Sequence, residues 1–177
     1  MINDLNEVFN KTKDIEYGWF DSKGSKHHKI SEGLARNFRF QSPEELLKSK
    51  IGICFETLEL NRQLLKDKNI ESKSYFMVIP HGKFFSHTLL VTKDDKKVYW
   101  IESSLKNHEG VHEYNSLQEL FTFMIDNFDI VTAHENYKKE DIRIFEYKTP
   151  RYGIGCVHFY LHCLAGKNIT KKYNNYI

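Results

Sequence analysis

Three side chains in the middle of the chain have the types that thiol chemistry needs. Cys54 follows Gly52-Ile53 and opens a run with helical spacing, in which Leu58 and Leu65 share one stripe with Leu60 and Leu64 beside it. A helix start leaves backbone N–H groups unpaired at the positive end of the dipole. Such a place favours a thiolate and can hold an oxyanion. Gly52 is expected to leave room there for a substrate. His87 and Glu102 fall on consecutive strand-like segments, Phe84–Val91 and Val98–Glu102, joined by Lys93-Asp94-Asp95-Lys96. A turn symmetric about Asp94-Asp95 pairs Val91 with Val98, Leu89 with Trp100, and therefore His87 with Glu102. Residues so opposed share a face, with Cβ atoms ~4.5–5.5 Å apart. The carboxylate would then fix the tautomer of the imidazole and raise its pKa. The plainer alternative is a small buried cysteine and a cross-strand charge pair at the surface. Against that, Leu89, Val91, Val98 and Trp100 make the shared face apolar.

Taken in order, Gly52-Ile53-Cys54-Phe55 leading into a helix, Phe85-Ser86-His87-Thr88-Leu89-Leu90-Val91 and Tyr99-Trp100-Ile101-Glu102 resemble the transglutaminase-like superfamily. Its relatives are the papain-type cysteine proteases and the arylamine N-acetyltransferases. The resemblance spans Lys50 to Leu105. It implies an α+β fold in which an antiparallel sheet packs against the helix bearing Cys54. It implies Cys54 as nucleophile, His87 as base and Glu102 as the orienting acid, in thiol-dependent acyl transfer or hydrolysis at an amide or ester. The family more often has aspartate in the third place, so Glu102 departs from the pattern with a longer side chain. Tyr17-Gly18-Trp19, Gly110-Val111-His112 and Tyr152-Gly153-Ile154 look like the outer segments of small bacterial or phage members. Tyr17 and Trp19 are the candidate substrate-lining residues. The expected partner is a peptide, protein or small amide or ester, with no cofactor or metal. No glutamine stands where papain-like proteases place an oxyanion donor; Lys48 is nearby instead.

The elements that must position these residues are legible from spacing and caps. Ile2, Leu5, Val8 and Phe9 have helical spacing, and Ile15, Tyr17 and Trp19 alternate as in a strand. Asp21-Ser22-Lys23-Gly24 is a turn. Ser42-Pro43-Glu44-Glu45 and Ser116-Leu117-Gln118-Glu119 are capping boxes that open helices, the second running to about Asn127. The Cys54 helix is expected to reach Lys68, with Asn69 as its stop. Strands are expected over Lys73–Ile79, Phe84–Val91 and Val98–Glu102, with Pro80-His81-Gly82-Lys83 turning the first into the second; links this short require antiparallel pairing. Lys106 to Asn115 reads as a loop and Asp141–Tyr147 as a strand. After a turn at Pro150–Gly153, Ile154–Ala165 reads as the final helix.

Rival sites are present. His108-Glu109-Gly110-Val111-His112 matches the HExxH pattern of zinc peptidases, but that chemistry needs a helix, and Gly110 with a new helix at Ser116 argues for a loop. Glu135 could supply a third ligand only by chance of distance. Cys156, His158, His162 and Cys163 also look like metal ligands; on a helix the cysteines share a face and the histidines lie nearly opposite, so one ion could not collect all four. His27-His28 reads as a solvated loop. An inactive binding or scaffold module on the same fold is the alternative of a different class.

Composition sets the frame. The 177 residues, with 40% hydrophobic and 28% charged, suit one domain from 1 to 177. A formal net charge of +2, with charges interspersed, gives no case for nucleic acid. The basic tail Lys171-Lys172-Tyr173 reads as a solvated end. Three cysteines make no even disulfide framework, no signal peptide is visible and no apolar run spans a bilayer. The expectation is a cytoplasmic protein with reduced thiols and no membrane partner; oligomeric state is not encoded legibly.

Overall fold

The computed structural model describes residues 1–29, 32–80, 85–132 and 136–173. Helix α1 (Ile2–Thr12) buries Leu5, Val8 and Thr12. The alternating stretch after it is two short strands rather than one, β1 (Glu16–Tyr17) and β2 (Trp19–Phe20). Gly18 divides them: a Cβ there would come within 2.5 Å of the His27 carbonyl oxygen. Strand β2 pairs with β3 (Lys26–His27) around a turn in which Asp21 accepts the N–H groups of Lys23 and Ser25, both at 2.8 Å. His27 is therefore on a strand, not in a loop. Helix α2 (Glu32–Asn37) precedes α3 (Pro43–Ser49), whose capping box is formed in both directions between Ser42 and Glu45. Lys50, at φ 58°, ends α3, and β4 (Ile51–Gly52) pairs parallel with β1 and leads straight into α4 (Cys54–Asp67). Asn69, also at φ 58°, turns the chain out of α4.

The main sheet follows: β5 (Ser72–Val78), β6 (Ser86–Lys93), β7 (Val98–Glu102) and β8 (Gly110–Tyr114) form a meander. The expected turn at His81-Gly82-Lys83 and the residue Phe84 lie outside the described residues. Strand β8 corrects the loop expected over Lys106–Asn115; only Lys106–His108 is a 3-10 turn. Its pairing with β7, Trp100 opposite His112, puts that ring on the indole at 4.8 Å. Helix α5 (Leu117–Asp126) is capped by Ser116, but Glu119 returns to the Asn115 N–H instead of that of Ser116. Helix α6 (Asp129–Thr132), β9 (Arg143–Tyr147) and α7 (Cys156–Leu164) come next. Helix α7 is not the last element; β10 (Lys167–Asn168) and α8 (Thr170–Tyr173) follow it.

The six strands run in the order β10-β9-β5-β6-β7-β8, every neighbouring pair antiparallel. The fold is mixed helix and sheet, consistent with α+β. Alternation sorts the sheet's side chains. Tyr75, Met77, Leu89, Val91 and Trp100 pack with Leu120, Phe121 and Met124 of α5. Leu90, Tyr99 and Ile101 pack with Leu5, Val8, Leu58 and Leu65 of α1 and α4. Sheet and Cys54 helix are therefore in direct contact. Among the described residues no helix is long and apolar enough to cross a membrane.

Candidate active site

Cys54 is the first residue of α4. The chain enters that helix through a buried polar tie. Glu56 accepts the N–H of Ile53 at 3.1 Å with one oxygen, and the N–H and side-chain amide of Gln41 at 2.9 and 3.1 Å with the other. The Gln41 amide also donates to the Ile51 carbonyl at 2.9 Å. Burial pushes the Glu56 carboxyl up to about 7, with its N–H partners pulling the other way. A raised acid is most at ease protonated, so its burial costs stability as pH rises from 4.5 through about 7. Sequence reading passed over both residues; an acid at the third position of a helix was the available signal. Among the described residues nothing accepts the N–H of Cys54 itself. The space at Gly52 is not a substrate channel. A Cβ there would lie 2.6 Å from Leu46 Cδ1 and 3.3 Å from Glu56 Oε2, so the bare backbone is what lets α3 pack. Gly52→Ala is expected to destabilise the fold by about 1–3 kcal/mol through overpacking, read as a lower Tm in a calorimetric scan.

His87 and Glu102 meet, by a route other than the expected one. The backbone pairs Leu90 with Ile101, Val91 with Trp100 and Lys93 with Val98. Asp94 accepts the N–H groups of Lys96 and Lys97 at 2.9 and 2.8 Å, which moves the turn's centre one residue along. Continued, that register sets His87 opposite Ser104. A two-residue shift keeps both side chains on their face, leaving Glu102 as a diagonal neighbour at ~7–8 Å. The length of a glutamate spans the diagonal: His87 Nε2 and Glu102 Oε2 are 2.7 Å apart, both residues buried. The other oxygen, Oε1, accepts Ser104 N at 2.6 Å, Ser104 Oγ at 2.8 Å and Leu105 N at 2.8 Å. Burial opposes the charge on each partner, yet the pair overcomes it. The imidazole is raised to about 10 by the charge and hydrogen bond of Glu102 and by the nearby Cys54. The carboxyl is held below its ordinary value by His87, Leu105 and Ser104. With Nε2 committed to Glu102, Nδ1 is the nitrogen left for the sulfur. Cys54 is near enough to contribute to the raised pKa of the imidazole, and catalytic contacts of this kind commonly tighten only when substrate binds.

The residue after Glu102 is fastened too. Ser103 Oγ lies 2.9 Å from Thr12 Oγ1 and accepts from Asn61 Nδ2 at 3.0 Å, while Thr12 donates to Asn61 Oδ1 at 3.0 Å. This buried knot joins α1, α4 and the end of β7, so the acid's backbone is referred to the same helix that carries the thiol.

Tyr17 and Trp19 flank the site differently. Trp19 is 1% exposed, in the apolar cluster that includes Cys54, Phe55 and Phe159, and its indole N–H donates to the Lys29 carbonyl at 3.1 Å. Tyr17 is 47% exposed as a residue, yet burial of its phenol and the charges of Cys54 and Glu102 push its pKa up. Lys48 pairs with Glu44 in solvent. The rival ligand sets do not converge: the HExxH segment is a turn and a strand, with His112 Nε2 on the His108 carbonyl at 2.7 Å, and Glu135 lies outside the described residues. Cys156 and Cys163 are core residues, while His162 bonds the Lys148 carbonyl. Among the described residues no three His, Cys, Asp or Glu side chains form a group that could hold a metal ion. No protein-family profile matches the chain, and no curated protein matches its sequence.

Proposed function

We propose that the chain is a transglutaminase-like cysteine enzyme that performs acyl transfer or hydrolysis at an amide or ester. The observation that carries this reading is the buried bond between His87 and a Glu102 anchored by three further donors, beside a cysteine at a helix N-terminus. A surface charge pair would need none of that anchoring. The raised imidazole pKa favours a protonated ring at neutral pH; the mechanism starts from the thiolate–imidazolium pair, in which His87 holds the proton that the thiol gives up. The Cys54 thiolate adds to the carbonyl carbon, and the carbonyl electron pair moves onto oxygen, where the free N–H of Cys54 can receive it. As the oxyanion collapses, the leaving amine or alcohol takes the proton from His87. A water or amine then gives its proton to His87 and attacks the thioester, returning the sulfur. His87 and Glu102 are sealed, whereas Cys54 keeps 7% of its surface and Tyr17 nearly half, so the acyl group enters on the Tyr17 side.

The test is brief treatment of the native protein with iodoacetamide at pH 7, followed by mapping of the modified residue. Cys54 is expected to react while Cys156 and Cys163 do not. Burial and the Cys54 charge push Cys156 up to about 11, and Cys163 is likewise raised. A Cys54 that reacts only after unfolding would favour the inactive module.

A further inference from the structure

The sheet face covered by α5 borders a hollow, about 580 Å³ in volume, walled by parts of β5, β9, β10, α5 and α8. That size lies in the range of small-molecule sites, about 300–1,000 Å³. Its charge is one-sided. Lys73, Arg143, Lys167, Lys171 and Lys172 line it, against one carboxylate, Glu146. The whole chain has a formal net charge of only +2, so this hollow is more positive than the molecule that contains it. Glu146 is already engaged by Lys73 at 3.0 Å. The other four cations have no carboxylate partner among the described residues. Arg143 donates to the carbonyls of Glu140 and Ile142, and Lys172 sits 5.0 Å over the Tyr173 ring. Gathering unpaired like charges around one cavity raises the energy of the compact state.

A second observation points the same way. Tyr75 is 2% exposed and lines the hollow, and its hydroxyl has no hydrogen-bond partner among the described residues. The Tyr75 phenol in the wall, the cations around it and the apolar sides of Leu117 and Ile169 together describe a receptor for an anion.

We propose that this cavity binds a phosphorylated small molecule, its phosphate groups held by Arg143, Lys167, Lys171 and Lys172 and by the hydroxyl of Tyr75. Four unmatched cations call for a multiply charged ligand, which a phosphate or diphosphate supplies and a single carboxylate does not. The buried position of Tyr75 requires the ligand to enter the hollow, so a soluble phosphate ester fits it and a bilayer surface does not. This site does not depend on the acyl chemistry of Cys54.

The test is calorimetric titration of the full chain with pyrophosphate and with ADP at constant ionic strength. One saturable site is expected. Tyr75→Phe, which keeps the buried ring, should weaken it about tenfold, the loss of one hydrogen bond to a charged group. The double variant Lys167→Gln/Lys171→Gln, at the rim, should weaken it further, and thermal melts would verify that each variant is folded. Absence of saturable binding to either compound overturns the proposal. So does binding that both variants leave unchanged, or binding only to phosphatidylserine vesicles or an acidic peptide.

Discussion

Replacing Cys54 by alanine is expected to lower turnover of an activated ester such as p-nitrophenyl acetate by a factor on the order of 10⁴ or more, with the fold intact. The size follows from the mechanism: once the nucleophile is gone, only binding and the oxyanion donors remain, and residues acting as a unit are lost together. The fold survives because the change removes one sulfur from a packed cluster, an effect of about 1 kcal/mol, and because the helix N-terminus is held by Glu56 and Gln41, not by the thiol. Cys54→Ser should retain a trace of activity, since a hydroxyl surrenders its proton to His87 far less readily. Steady-state kinetics beside a thermal melt separates the two effects. Cys54→Ala with wild-type turnover ends the enzymatic reading.

Glu102→Ala is expected to cost about 3–5 kcal/mol of stability, the range for breaking a buried ion pair by deleting one partner. It strands His87 and leaves Ser104 and Leu105 without their acceptor. The pH dependence carries its own signature. His87 is raised from 6.5 to about 10, so its contribution is whole below pH 6.5 and disappears as pH climbs through about 10. Glu102 is lowered from 4.5, so its contribution is whole above pH 4.5 and disappears as pH falls through the carboxyl's depressed folded value. Wild type and Glu102→Gln should therefore differ most between pH 4.5 and 6.5 and converge toward both extremes. Urea melts from pH 3 to pH 11 measure this; a gap independent of pH would mean that the pair is not ionised.

The candidate site was legible because its parts obey local rules. Ser42, Asn69 and Ser116 announce helix ends through their own side chains, and Cys54 stands where one such helix begins. The apolar runs of β5, β6 and β7 name themselves as strands. What escaped depends on geometry that no short window contains. The β6–β7 register turned on whether the side chain of Asp94 would close the turn on Lys96 and Lys97. The pairing of His87 with Glu102 was expected for a directly opposed couple, and it holds across a diagonal only because the acid is a glutamate. Strand β8 looked like a loop because Gly110 interrupts the segment and a helix cap follows at Ser116; contact with β7 and the Trp100 ring overrides that preference. Gln41, Asn61 and Thr12 are polar residues whose partners lie far away in sequence, so their burial had no local mark.

The order of strands sets a timetable for assembly. Rungs between β5 and β6, such as Ser72 with Thr92, and between β7 and β8, such as Val98 with Tyr114, close short loops. Those joining β5 to β9, Val78 with Arg143 and Ser74 with Tyr147, must wait for a far longer stretch of chain to return. The imidazole and the carboxylate therefore belong to the early half of the sheet. Phe159, which stacks on Phe55 beside the sulfur at a centroid distance of 4.1 Å, rides on the late half. During synthesis the imidazole and carboxylate of the candidate site would come together in an open hairpin stack, and the sulfur would acquire its aromatic wall only when the C-terminal third of the chain docks.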